Sequence, residues 1–122
     1  MANKVDHRGR NKTSRFVKLD HFMLRHSSWR KLSPHAVAIY IQICAIYNGR
    51  NNGQITFSYR QAAEQIGCSK SSASRAFKEL VDCGFLAVEK LGNWYGRQAT
   101  EWRLTTYRCN ERMPTNDWQK LR

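Results

Sequence analysis

The spacing of hydrophobic positions changes along the chain, and the changes mark out its elements. Between Ser58 and Gly67, the residues Ala62, Ala63 and Ile66 recur at helical spacing. After Ser69, the residues Ala73, Ala76, Phe77, Leu80 and Val81 fall at i, i+3, i+4, i+7 and i+8, which gives a second helix one apolar face. Beyond Gly84 the period drops to two. Thr100, Trp102 and Leu104 alternate with Ala99, Glu101 and Arg103, so residues 85–90 and 99–104 read as two strands. A glycine-bounded loop at 92–97 joins them, and a short strand at 54–57 precedes the helices and can pair with this hairpin.

Turn chemistry agrees with the periodicity. Ser58 and Gln61 stand three apart and can form a capping box. Gly67 is suited to the left-handed turn that ends the first helix, Ser69 can cap the second, and Cys83-Gly84 closes it. Alanines at 62, 63, 73 and 76 let two helices cross closely. The polar face of the second helix carries Lys70, Ser71, Ser72, Ser74, Arg75 and Lys78. Small hydroxyl residues in its first turn permit close approach to phosphates, and helix N-terminal amides favour anions. Its cations can reach both a phosphate backbone and guanine edges. A solvated face on an ordinary helical hairpin would look similar; the strand pair that follows weighs against it.

Helix, turn, helix and β-hairpin in this order resemble the GntR- and MarR-like winged helices. The recurring phrase of that family stands here as Ser58, Ala62, Ala63, Gly67, Ser69, Arg75, Ala76, Leu80, Gly84, Phe85 and Leu86, within a match over about residues 54–104. The resemblance implies an α+β fold, mainly α: a winged helix-turn-helix with a three-helix core and a small antiparallel β wing. It also implies that residues 69–83 enter the major groove of double-stranded DNA while the wing at 91–98 meets the flanking groove. Ser69, Lys70, Ser71, Ser72, Ser74, Arg75 and Lys78 would then face DNA, joined by Arg60, Lys90 and Asn93, with Arg97 as the wing cation. Trp94 and Tyr95 at the wing tip could fold onto the domain, pack on the sugar-phosphate edge or stack on an unpaired base. Residues 32–53 also resemble the region ahead of the helix-turn-helix in phage and plasmid replication initiators. That resemblance supplies the alternative to a transcriptional regulator.

Upstream, Leu32-Ser33-Pro34 provides a staple residue, an N-cap and a proline at the first helical position. The helix it opens runs to Tyr47 and is apolar almost all round, with Gln42 the one strongly polar residue between Val37 and Tyr47. One face must cover the helix-turn-helix and the other needs a second cover. Residues 16–29 can supply part of it through Phe16, Val17, Leu19, Phe22, Met23, Leu24 and Trp29, and a second subunit can supply the rest. A homodimer is therefore expected, placing two recognition helices in successive major grooves. Residues 1–15 hold Arg8, Arg10, Lys12 and Arg15 with little that is apolar, and read as a basic arm, unstructured when alone. It serves either to track phosphates or enter a minor groove, or only to solubilise. The domain proper spans 16–104, and the tail at 105–122 is either an element docked on it or a partner-binding segment.

The net charge of +12 sharpens this picture. Residues 1–31 contribute +7 of it and residues 91–122 another +3. Such a chain binds polyanions through counterion release, and with a winged helix the polyanion expected is duplex DNA. The four cysteines stand 24, 15 and 26 positions apart with no paired spacing, and all four histidines precede them, so no metal site is read. Core thiols are the better reading. No apolar leader or membrane-length run is present, and the expected compartment is the cytoplasm. No phosphate-cradling loop or convergent set of titratable groups nominates an enzyme, and no cofactor is implied. No small-molecule ligand is evident either, since every apolar segment is needed for the core.

Overall fold

Local capping chemistry sets where each helix begins. The computed structural model describes residues 4–5, 11–12, 15–93 and 99–120. Within the basic arm, β1 (Lys4–Val5) pairs antiparallel with β2 (Asn11–Lys12) over two residues each, a length that is marginal by itself in water. The Asp20 carboxylate accepts from the Phe22 amide at 2.7 Å and opens α1 (His21–Arg25). His26 Nδ1 accepts from the Ser28 amide at 3.1 Å and opens α2 (Ser27–Arg30). Ser33 caps α3 (Pro34–Ile46), accepting from the Ala36 amide at 3.2 Å with Pro34 at the first position, where its missing N–H costs no bond. After β3 (Ile55–Thr56), Ser58 and Gln61 form the reciprocal capping box of α4 (Tyr59–Ile66), with both bonds at 3.0 Å. Gly67, at φ +74°, makes the left-handed turn, and Ser69 caps α5 (Lys70–Asp82) by accepting from the Ser72 amide at 3.1 Å.

The strands β4 (Leu86–Lys90) and β5 (Glu101–Leu104) complete a three-stranded antiparallel sheet in the order β3-β5-β4. Ile55 stands opposite Trp102, and Leu86 opposite Leu104. The register shifts between Val88 and Lys90, leaving Glu89 as an extra residue in β4. The alternation read from residues 99–104 holds in three dimensions, since Trp102 and Leu104 are buried and Glu101 and Arg103 are not. Trp102 stacks on Phe77 of α5 at 4.9 Å, and so ties the sheet to the helices.

The core lies where α3 and α4 cross α5. Ala62, Ala63, Ala73 and Ala76 are all buried at this crossing, as close packing of two helices requires. Glu79 of α5 reinforces it: the amide and hydroxyl of Ser33 both donate to its carboxylate at 2.8 Å, so the start of α3 is pinned to α5. Not every apolar residue is recruited. Val81 is partly exposed, and Phe16 and Phe22 remain 67% and 63% accessible, although their neighbours Met23 and Trp29 pack inward.

The second cover for α3 comes largely from within the chain. Trp29 meets Tyr40 edge-on at 5.4 Å, and Tyr107 stacks on Tyr47 at 4.6 Å. The Tyr40 hydroxyl lies 2.9 Å from that of Thr106, and burial pushes its pKa well up. The tail therefore docks. Thr105 Oγ1 donates to the Gly84 carbonyl at 2.7 Å, and a 3-10 helix at Asp117–Lys120 brings Trp118 onto Phe85, rings stacked at 6.0 Å. Ser28 Oγ donates to the Trp118 carbonyl at 2.8 Å. Gly84 has φ +85°, and a Cβ there would lie 2.6 Å from the Trp118 amide nitrogen, so both its conformation and the passing tail require glycine.

Candidate nucleic-acid interface

The exposed face of α5 gathers the polar residues that the sequence placed there. Ser69 Oγ donates to Ser72 Oγ at 2.9 Å and lies 3.2 Å from Ser71 Oγ, while Arg75 Nη2 donates to Ser72 Oγ at 3.3 Å. These bonds organise the first turn and lay Arg75 along the helix surface. Lys70, Ser71 and Arg75 are exposed, and Ser72 and Ser74 half-buried. Ser69 is thus a cap first, its hydroxyl committed to the helix start.

Carboxylates are absent from the first two turns of α5. They appear only in its second half, where Asp82 meets Lys78 at 3.4 Å and Glu79 is turned inward to Ser33. On α4, Arg60 is paired with Glu64 at 3.5 Å, and on the sheet Lys90 reaches Glu101 at 4.0 Å. Among the described residues, Lys70 and Arg75 have no acidic partner. The positive charge of the helix-turn-helix is therefore uncompensated at one place, the start of α5, where the unpaired amides of the first turn add to it. The pairs at Arg60, Lys78 and Lys90 are solvent-exposed and weak, so a phosphate can compete for these cations.

The remaining sequence-read residues are more scattered. Asn93 is exposed beyond β4. Arg97, Trp94 and Tyr95 lie outside the described residues, as do Arg8 and Arg10; Lys12 is described only as backbone in β2. Arg15 bonds to the Tyr47 carbonyl at 3.4 Å, at the end of α3. This is not beside the start of α5. A small groove lined by Ser58, Tyr59, Ala99 and Thr100 lies between the start of α4 and the wing strands. Tyr59, which the pattern did not single out, is exposed there with its ring 5.1 Å from Phe77.

Among the described residues there is no group of three or more His, Cys, Asp or Glu side chains able to hold a metal ion. Burial pushes the Cys44 thiol up to about 12, and burial also raises Cys83, so neither is a ready thiolate. No helix of the described residues is long and apolar enough to cross a membrane. Open clefts do exist where the sequence showed none. One of about 590 Å3 lies by Phe22, Tyr40 and Trp118, and one of about 620 Å3 lies by Tyr47 and Tyr107. Both form where the tail crosses α3, a juxtaposition that residue spacing does not reveal.

Three helices, the turn at Gly67 and the antiparallel wing strands define a winged helix-turn-helix, a DNA-binding class of domain. Residues 30–86 match the family model described as a helix-turn-helix domain. The match takes in α3, α4 and α5 and ends at the first residue of β4, so the wing itself rests on the structure. Comparison of the chain with curated proteins and with solved structures gave no match.

Proposed function

We propose that this protein is a sequence-specific double-stranded DNA-binding regulator, acting as a homodimer and not as an enzyme. The observation that carries this reading is the carboxylate-free start of α5, where Lys70 and Arg75 stand exposed without an acidic partner among the described residues. Ser71 and Ser74 allow close approach, and Lys70 and Arg75 contact guanine edges or phosphates in the major groove. Arg60, Lys78, Lys90 and Asn93 add contacts at the margins, Arg97 of the wing enters the flanking groove, and the arm with Arg8, Arg10, Lys12 and Arg15 adds sequence-independent affinity. Ile46 at the end of α3 remains 37% exposed, and this apolar surface supports a second copy as neighbour.

The test is selection of bound duplexes from a random pool at low and physiological salt, using the full chain. A motif with two-fold symmetry is the expected result. Clustered direct repeats would favour a replication-initiator role. Motif-free binding that collapses at the higher salt would withdraw the base-reading roles of Lys70 and Arg75.

A further inference from the structure

A second basic surface lies at the other end of α5. The helix is 13 residues long, so its two ends stand about 20 Å apart. Its last turn leads through Gly84 and Phe85 into β4, and the Thr105 amide bonds back to the Phe85 carbonyl at 3.1 Å. The base of the hairpin is therefore at the finish of α5, away from Lys70. Here the end of α3, the turn after it and the segment after β5 enclose the cleft of about 620 Å3.

Its walls are held from beneath. Asn52, only 2% exposed, donates to the carbonyls of Leu104, Tyr107 and Arg108 at 2.9, 3.1 and 3.0 Å, and accepts from the Leu104 amide at 2.7 Å. That one side chain locks the turn to the strand end. Above it, Tyr47 and Tyr107 are half-buried and stacked on each other, and both line the cleft. Arg50 and Arg108 complete the lining, which contains no carboxylate, and Arg15 sits at its border through the Tyr47 carbonyl. Elsewhere Arg60, Arg103 and Arg112 each meet a carboxylate; among the described residues, Arg50 and Arg108 meet none.

We propose that this cleft binds an unpaired nucleotide of single-stranded nucleic acid, its base against the Tyr47–Tyr107 pair and its phosphates on Arg50 and Arg108. Flat aromatic surface beside uncompensated cations is the arrangement that single strands use, since every base has a face to stack and every nucleotide a charge to neutralise. The volume falls within the roughly 300–1,000 Å3 of sites that enclose small molecules. A duplex cannot place a stacked base there, and a lining without carboxylates offers nothing to a divalent cation. The site is separate from the start of α5 and does not depend on the duplex-reading role proposed for it.

The test compares fluorescence anisotropy of a labelled oligothymidylate with that of a labelled duplex, using the full chain, the Arg50→Ala/Arg108→Ala double variant, Tyr107→Leu and Lys70→Ala. Both arginines are exposed, so the double variant keeps the fold. It should lose about tenfold or more in oligothymidylate affinity and far less on duplex. Tyr107→Leu, checked for folding by circular dichroism, should lose about fivefold or more on the single strand alone. Lys70→Ala should weaken oligothymidylate binding far less than the arginine double variant does, and weaken duplex binding more. Unchanged affinity in the arginine double variant overturns the site, as does an equal loss on both probes. Displacement of the oligothymidylate by polyglutamate at equal charge would show a site for acidic chains in general, and would also overturn it.

Discussion

The two ends of α5 are built on opposite rules. At its finish, the buried polar groups among the described residues are satisfied inside the protein, beneath the exposed Arg50 and Arg108 of the cleft. Asn52 uses both amide atoms, Thr105 bonds to Gly84, and the Trp118 indole donates to Asn116 Oδ1 at 3.2 Å. Among the described residues, no buried side-chain nitrogen or oxygen lacks a partner. At its start, the bonds among Ser69, Ser71, Ser72 and Arg75 lie on the surface, and the charges are left without counterparts. A buried polar group that goes unpaired costs stability, so the packed end must close its bonds internally. An exposed one can await a ligand at little cost. The difference separates residues that hold the domain together from those free to act on something outside it.

Substitutions distinguish the two ends, and the largest effects belong to the packed one. Trp118→Ala should lower stability by about 4 kcal/mol, since the indole covers Phe85 and closes the core from the tail side. Urea denaturation measures it, and a loss below about 1 kcal/mol would mean that the tail is only loosely docked. Asn52→Ala should cost about 3 kcal/mol, because it strands the Leu104 amide and three carbonyls in or near the interior. The folded fraction of either variant should still bind duplex DNA, which a titration at low temperature would show.

Lys70→Ala reverses the pattern. Stability should stay within about 0.5 kcal/mol, as for other exposed substitutions, while discrimination between specific and random duplex falls by about 1–3 kcal/mol. Equal weakening on both duplexes would make Lys70 a phosphate contact only.

The smallest effect is on pH dependence. Hydrogen bonds from Arg112 and Arg103 hold the Glu89 carboxyl below its ordinary value of 4.5. A lowered folded-state pKa gives stability that is complete above the unfolded value and is lost as pH falls through the folded one. Solvent screening keeps the contribution small. Glu89→Gln should therefore slightly flatten the acid side of the stability profile, below about pH 4.5, and lower stability slightly at neutral pH, where wild type has the ion pairs. An unchanged acid limb would show that Arg103 and Arg112 do not tie the β4 bulge to the tail in solution.

Several pieces of the site could be read from adjacent residues alone. The Ser58–Gln61 box, the Ser69 cap and the turn at Gly67 each depend on residues within one helical turn, and each formed as the spacing required. The face carrying Lys70 and Arg75 follows from the same periodicity, because burying Ala73, Ala76, Phe77 and Leu80 leaves the opposite side outward. The arginine-tyrosine cleft could not be read this way. Arg50 and Arg108 are far apart in the chain, and no local spacing brings them together. Glu89 is likewise placed by the fold, since the β4 bulge turns it towards Arg103 and Arg112.

The starts and stops of α3, α4 and α5, the two faces of α5 and the antiparallel wing strands are written in the residue order, because periodicity and capping act over a few residues. Long-range packing makes the tail part of the core, covers α3 with Trp29 and Tyr107, and lets Asn52 close the hairpin base. Those contacts join residues separated by tens of positions. Which of them form depends on how whole elements pack, and no local pattern encodes that.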